Sequence, residues 1–421
     1  MPAAAAHILL PCVVVISIIL MLLRPHNIAE VWWISTGALL LIALRLIPAK
    51  LAFSAVKEGT DVYLFLIGMM LLAELAREQG VFDWISSVAV RGAKGSCSTL
   101  FLSVYAVGTI VTIFLSNDAT AVVLTPAILA VIRKVKISPL PYLFVCAFVA
   151  NAASFVLPIS NPANLVVFHT GMPPLGHWLA AFGVPSFLSI VATYLVMRVY
   201  FRADLGGQID HAAETVKLTA PGKVVLWGLV FVVAALLTAS AMKKDLGLPT
   251  CLAALAISAV ASFVAKTNPL KLFREISWST ILLVAGLFIM VDAVESQGAL
   301  QLTQQSLAWA QHLAPVAATM VVGFTVAIGN NLVNNLPLGL MAGATIKAAQ
   351  VKGLLANAVL IGVDLGPNLS VTGSLATILW LLALRKENLN VSAWKFMKLG
   401  IIAMPIALAA ALGGALILAK L

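Results

Sequence analysis

The feature that most constrains this chain is a repeat that binds its two halves into one pattern. Residues 68–80 read GMMLLAELAREQG, and residues 286–298 read GLFIMVDAVESQG. Gly68 falls on Gly286, Gln79 on Gln297, Gly80 on Gly298, and acidic Glu74 on acidic Asp292, each pair 218 residues apart. The same ungapped spacing carries Asn117 in LSNDAT onto Asn335 in VNNLPL. Two copies of one apolar unit, interrupted by polar residues at matching positions, form the sequence pattern of a secondary transporter.

Composition sets the solvent in which this pattern folds. Of 421 residues, 62% are hydrophobic and only 10% charged, and the mean hydropathy is +1.05. Soluble domains carry about 25% charged residues, so a polytopic membrane protein is implied. The net charge of +10 points to no nucleic-acid partner, because the basic residues lie in loops between apolar runs, where they orient the chain in a bilayer. The first apolar run lacks a basic flank and a small-residue cleavage site, and is expected to be retained. Cys12, Cys97, Cys146 and Cys251 are scattered without a CxxC pair, which argues against a disulfide framework or a thiolate metal site.

A spanning helix needs about 20 mostly apolar residues. Candidates are 8–23, 31–47, 61–76, 177–197, 224–242, 250–265, 276–293 and 400–420. Longer runs are interrupted. Residues 98–134 break at Ser116-Asn117-Asp118, and 140–168 break across Pro158–Asn164. Residues 315–349 break at Asn330-Asn331 and again from Asn334 to Pro337, and 354–384 break across Asp364–Asn368. Segments 80–91 and 299–312 are amphipathic and suit the interface.

Positive charge belongs on the cytoplasmic side. The basic loops hold Arg91 and Lys94, Arg133 to Lys136, Arg198 to Lys223, Lys266 to Arg274, and Arg385 to Lys398, while loops 169–176 and 294–314 hold no Lys or Arg. One topology satisfies them, with Lys243, Lys244, Lys347 and Lys352 left outside as its main strain. It is an all-α polytopic fold of two inverted-topology repeats, 1–203 and 222–421, joined by a polar cytoplasmic linker at 204–221. Each repeat carries a re-entrant helical hairpin (98–134 or 315–349) and a broken transmembrane helix (140–168 or 354–384), about ten spans and two hairpins in all.

Irregular backbone inside a bilayer survives only where protein or a water-filled cavity satisfies its polar groups. The four breaks should therefore meet near the midplane and form a cage for a small polar solute, with helix ends supplying partial charges. The first tip offers Asn117 and Asp118; the second offers Asn334 and Asn335, with Leu336 where the first has the acid. The broken helices contribute Ser160, Asn161 and Asn164, and then Asp364, Asn368, Ser370, Thr372 and Ser374. Ser, Asn and Asp also cap helices, but Asp118 and Asp364 would be ionisable at bilayer depth, where such residues are functional by default. They are the proton-carrier candidates. Glu74 and Asp292 lie near span ends and suit surface or packing roles. Asn331 suits a cap. Gly339 and Gly343 form a GxxxG spacing suited to close helix packing. The tryptophans suit interface anchors; His169 and His177 read as incidental.

No GxxxxGK[ST] loop, HExxH pair or GxSxG elbow is present, so nucleotide hydrolysis, metalloprotease chemistry and a hydrolase elbow have no support and no enzyme is expected. No cofactor or metal is implied. The breaks contain no Lys or Arg, which favours a neutral or cationic solute.

At these breaks LSNDATAVVLTPAIL, ISNPANLVVF, VNNLPLGLMAG and VDLGPNLSVTGSLATILWL resemble the bacterial arsenite efflux permeases (ArsB type) of the ion transporter superfamily. The likeness runs from about residue 30 to 420. It implies a multi-pass protein of the bacterial inner membrane that exports trivalent arsenite and antimonite in exchange for protons, in some bacteria with a separate cytoplasmic ATPase subunit. The residues it implicates are Asn117, Ser160, Asn161, Asn164, Asn334, Asn335, Ser370 and Thr372 for substrate, with Asp118 and Asp364 for protons. The first break departs at Pro162 and Ala163. Arsenite near neutral pH is mostly the uncharged trihydroxide, which hydroxyl and amide side chains can bind. A Na⁺/H⁺ antiporter or a carboxylate carrier of the same superfamily is the competing expectation.

Overall fold

The computed structural model describes residues 3–169, 171–209, 216–242, 244–298 and 300–419. Among them there are helices and turns but no strand, only a single antiparallel bridge between Ser96 and Gln208. The chain opens with α1 (Ala3–Leu23), α2 (Glu30–Ala43), α3 (Ala49–Glu58), α4 (Thr60–Glu78), α5 (Val81–Gly92) and α6 (Cys97–Phe114). It reverses at Leu115 and Ser116 and returns through α7 (Asn117–Ala119), a π-helical turn (Thr120–Leu124) and α8 (Thr125–Lys134). An interrupted element follows: α9 (Leu140–Ala152), a 3-10 turn at Pro158–Ser160, and α10 (Pro162–Val167); then comes α11 (Leu175–Tyr200).

The same order of elements then recurs. It runs α12 (Ala220–Ala241), α13 (Gly247–Ala265), α14 (Leu270–Glu275), α15 (Trp278–Ser296), α16 (Leu300–Gln311) and α17 (Pro315–Val333). The chain reverses at Asn334 into α18 (Asn335–Ala348), and α19 (Leu354–Leu365) meets 3-10 turns at Gly366–Asn368 and Val371–Gly373. α20 (Leu375–Lys386) and α21 (Ala393–Leu418) finish it. Of the linker expected at 204–221, residues 210–215 lie outside the described residues, as does Lys243.

Seven described helices are long and apolar enough to cross a membrane, and α3 with α4, bent by 47° at Gly59, makes an eighth. The seven include α6 and α17, the first arms of the two hairpins. The span expected at 31–47 is shorter: α2 stops at Ala43. Arg45 takes a left-handed φ of 53°, and the N–H groups of Leu46 and Ile47 turn back to the Leu41 carbonyl at 2.9 and 3.3 Å. Pro48 disfavours helix at the residue before it, so the chain closes its helix early and re-enters as α3.

Both hairpins turn on a residue that L side chains rarely allow there. Ser116 has φ 143° and Asn334 φ 77°, at equivalent places in the repeat. Each offsets the strain by capping the next helix: the Ser116 hydroxyl accepts from the Ala119 N–H at 3.2 Å, and the Asn334 carbonyl from the Leu336 N–H at 3.4 Å. Of the two breaks expected in 315–349, the one at Asn330-Asn331 does not occur. α17 runs through both residues to Val333, because their amides are held without breaking the helix: Asn330 donates to the Val363 carbonyl of α19, and Asn331 to its own helix at the Ala327 carbonyl and to the Gly366 carbonyl.

Long helices pair across the two halves: α4 with α13, α2 with α15, and α11 with α21. α9 packs with α6, and α19 with α17. Two tryptophans correct the reading of this residue type as interface anchors. Trp178 and Trp380 are fully buried, and their indole N–H groups donate to the carbonyls of Phe155 at 3.1 Å and Leu143 at 3.0 Å. A buried indole needs such an acceptor, and the Phe155 carbonyl is free because it lies between α9 and α10. Trp380 also stacks in a cluster with Phe144, Phe148 and Phe396 that joins the two halves.

Candidate functional site

The interrupted helices bring two of the expected residues into direct contact. Asn161 caps α10, its side-chain oxygen accepting from the Ala163 N–H at 3.0 Å, while its amide NH2 donates to Asp364 Oδ1. Asp364 is completely buried, and its Oδ2 has no protein partner. The bond joins residues 203 positions apart and so ties the first broken helix to the second. Asp364 itself stands in the last turn of α19 rather than in irregular backbone. The second break runs later than expected, from Gly366 to Ser374. The first begins earlier, after Ala152, so that Asn164 falls inside α10.

A second bond spans the same two elements. Asn151 Nδ2 donates to Asn368 Oδ1 at 2.9 Å, and Asn368 Nδ2 donates to the Phe148 carbonyl at 3.1 Å. Both side chains are buried. Asn151 escaped the sequence reading, although the 217-residue separation of this pair falls one short of the repeat spacing and could have exposed it.

The hydroxyls of the second break point elsewhere. Ser370 Oγ donates to Asn331 Oδ1 at 2.7 Å, and Thr372 Oγ1 donates to the Asn331 carbonyl at 3.0 Å. Asn331 Nδ2 in turn donates to the carbonyls of Ala327 and Gly366 at 2.8 and 3.0 Å. Asn331 is therefore a clamp between α17 and the break, not a cap. Its neighbour Asn330 donates to the carbonyls of Gly362, at 3.4 Å, and Val363. Asn334 adds a bond from its amide to the Thr372 carbonyl at 3.1 Å. In the other half the equivalent tie is slighter: Ser160 Oγ donates to the Ile113 carbonyl of α6 at 3.0 Å.

Each hairpin also leans on the opposite half. α7, which carries Asn117 and Asp118, packs against α20, and α18, which begins with Asn335, packs against α10. Among the described residues no hydrogen bond or ion pair engages the partly exposed Asp118 carboxylate, and none links it to Asp364. Asn117 and Asn335 are buried, each with a carbonyl oxygen that has no partner. Asn164 anchors its amide on the Ser154 carbonyl at 2.8 Å and leaves its oxygen unpaired as well.

The unpaired atoms share a chemistry. Asn117, Asn151, Asn164, Asn330 and Asn335 each leave a carbonyl oxygen free, Asp364 leaves a carboxylate oxygen, and Ser374 and Thr377 leave hydroxyls. In Asn151, Asn164 and Asn330 the NH2 group donates to a side-chain or backbone oxygen, which fixes the free atom as the acceptor. A buried acceptor without a donor costs about 1–3 kcal/mol. No Lys or Arg is found among the buried described residues. Among the described residues no cluster of His, Cys, Asp or Glu could hold a metal ion, and the four cysteines are unpaired and separate. The complement of such a set of groups is a small molecule or water that supplies O–H groups and no large negative charge.

Two peripheral readings change. Glu74 is paired with Arg77, whose Nε donates to it at 2.8 Å. Its repeat counterpart Asp292 has no such partner and lines a cavity of about 280 Å³ with Glu58, His169, Glu295 and Lys347. His169 is not incidental there, because its Nε2 lies 3.4 Å from Glu58.

Known proteins show where this architecture has been met. The arsenical pump membrane protein of Escherichia coli K12 is 27% identical over 410 residues, covering 92% of this chain and 93% of that one. The arsenical pump membrane protein of Yersinia enterocolitica is 26% identical over 408 residues, with the same coverage. An uncharacterised transporter of Synechocystis is 22% identical over 402 residues, covering 89% and 90% of the two chains. The crystal structure of the Alcanivorax borkumensis YdaH transporter, titled as having an unusual topology, superposes with a TM-score of 0.59 at 16% identity over 88% of this chain and 86% of that one; it shares the fold. The family model described as citrate transporter matches residues 5–363. A match of that extent places this chain in the citrate transporter family of the ion transporter superfamily, as a multi-pass protein of the bacterial cytoplasmic membrane.

Proposed function

We propose that the chain is a secondary exporter of trivalent arsenite, and of antimonite, driven by proton uptake. The observation that carries this reading is the set of buried, unpaired oxygens on and beside the two broken helices, with no Lys or Arg among the buried described residues. Three hydroxyls on a neutral trihydroxide can donate to the free oxygens of Asn164, Asn335 and Asp364 without burying a charge. The resemblance to arsenical pumps over nine-tenths of the chain points to the same solute. Asn117, Asn161, Asn164, Asn334 and Asn335 form the substrate side of the site, with Ser160, Ser370 and Thr372 holding its backbone. Asp118 and Asp364 exchange the proton. The repeats 1–203 and 222–421 are inverted, and one bundle rocks against the other about the site. Ion pairs and bridges support this arrangement, because they join only segments that loop charge assigns to one face: Arg133 with Glu387 at 2.6 Å, Lys271 with Glu78 at 3.5 Å, and Ser96 with Gln208.

The test is arsenite uptake into everted vesicles energised by a proton gradient. Uptake stopped by a protonophore, and lost in both Asp118→Asn and Asp364→Asn at unchanged membrane abundance, is the expected result. Full uptake by both variants would overturn the coupling. The citrate description of the matched family supports a second reading, a carboxylate carrier. Carboxylates, however, bring acceptors and negative charge to a site already made of acceptors. Citrate uptake with no arsenite uptake in the same vesicles would establish that reading.

A further inference from the structure

The cavity beside Asp292 sits where the two site-bearing elements end. α10 is capped by Asn161 and is followed two residues past its end by His169; α18 starts at Asn335 and carries Lys347 in its last turn. These elements are packed so closely that a Cβ on Gly343 would strike the backbone of Val167, so they move as a pair. Across the cavity stand α3, ending in Glu58, and α15, carrying Asp292 and Glu295, which pack on each other. Glu58 Oε1 bridges the seam, 3.4 Å from His169 Nε2 and 3.8 Å from Lys347 Nζ.

Two oxygens face the ring nitrogens of His169. Nδ1 lies 2.8 Å from the Val166 carbonyl, an acceptor only, so Nδ1 carries a hydrogen. Nε2 faces a carboxylate, also an acceptor only. A hydrogen on Nε2 as well makes the ring an imidazolium and the 3.4 Å contact an ion pair. The ring edge rests on Phe288 of α15, centroids 5.7 Å apart and planes at 88°, which keeps Nε2 aimed across the seam. The charged groups facing it are Glu58 from α3, Asp292 and Glu295 from α15, and Lys347 from α18.

We infer that His169 is a proton-loaded latch on the outer face: protonated, it ties α10 and α18 to Glu58 and closes that side of the site; deprotonated, it releases them. Loss of the Nε2 proton turns a lone pair toward the carboxylate and leaves only the longer, exposed Lys347 contact. A proton arriving from outside thus closes the outer side, which is the order an exporter driven by proton uptake needs. This deepens the exporter reading and rests on it for direction, while the latch itself is testable without arsenite.

The reporter is Ala344→Cys, a buried position on the α18 wall of the cavity, in a Cys12→Ser background that removes the exposed native thiol. Intact cells are labelled with a membrane-impermeant maleimide at external pH from about 5 to about 8, across the ordinary range of histidine. Rates are normalised to the same reporter carrying Glu58→Gln, to remove the reagent's own pH dependence. Normalised labelling should slow toward low pH, to the rate of the permanently charged His169→Arg protein. His169→Gln should label fast throughout, and His169→Arg, permanently charged, slowly throughout. A His169→Gln protein that keeps the pH dependence, a His169→Arg protein that labels as fast as His169→Gln, or a reporter that never labels from outside would each overturn the latch. Arsenite uptake measured on the same membranes reports separately: its absence with the labelling pattern intact would remove the exporter reading and leave the latch standing.

Discussion

Asn331 shows how one side chain can organise a site without belonging to it. It holds Ser370 by its oxygen, Thr372 by its carbonyl, and Gly366 by its amide. Asn331→Ala removes the amide and leaves the Gly366 carbonyl and the Ser370 hydroxyl to find new partners, at a cost of about 1–3 kcal/mol. The expected outcome is a lower melting temperature in detergent and a raised KM for transport, because the second break loses its shape; an unchanged KM would show that the break holds itself. Trp380→Phe is the contrasting case. It deletes the indole N–H donated to the Leu143 carbonyl at 3.0 Å and leaves every amide and carboxylate of the breaks in place. A stability loss of about 1 kcal/mol is expected, with transport kinetics at the wild-type level.

At the scale of elements, the contact of α10 with α18 carries the most risk. The two glycines of the GxxxG spacing are not equivalent. A Cβ at Gly343 would lie 3.1 Å from the Val167 carbonyl carbon and closer still to its oxygen, whereas at Gly339 the nearest atom is the Val167 Cγ2 methyl at 3.4 Å. A methyl can give way by a few tenths of an ångström; a backbone carbonyl capping a short helix cannot. Gly343→Ala should therefore cost about 1–3 kcal/mol through overpacking and displace Asn161 from Asp364. Gly339→Ala should melt within about 0.5 kcal/mol of wild type. Thermal unfolding followed by tryptophan fluorescence separates them, and equal losses would refute the backbone argument.

For the whole molecule, the decisive property is which segments share a face. The turn at 204–209 docks on the α5–α6 connection, where the Cys97 N–H donates to the Gly207 carbonyl at 3.2 Å. On the opposite face by loop charge, the Leu175 N–H donates to Ser240 Oγ at 2.7 Å. Single cysteines in a Cys12→Ser background make this measurable. Gln208→Cys should label only in everted vesicles and Gly171→Cys only in intact cells. Labelling of both from one side would overturn the inverted repeats while leaving the helix packing as described.

What the sequence by itself determined was everything that depends on local composition. Apolar runs, polar interruptions and loop charge specify an all-helical membrane chain, and the 218-residue repeat places two hairpin tips at equivalent positions. The tips were legible because Ser116 and Asn334 cap helices through their own side chains, a local interaction. The extent of the breaks was not, because the side chains at Asp364 and Asn330 are engaged by another element, a donor from Asn161 for the first and the Val363 carbonyl for the second. Tertiary structure alone decided where the polar groups point: Asn161 at Asp364, Asn151 at Asn368, Ser370 and Thr372 at Asn331, and His169 at Glu58. Inside a bilayer an unpaired buried polar atom is costly, and the partners of these groups lie on other elements of the chain, brought near only when the helices pack.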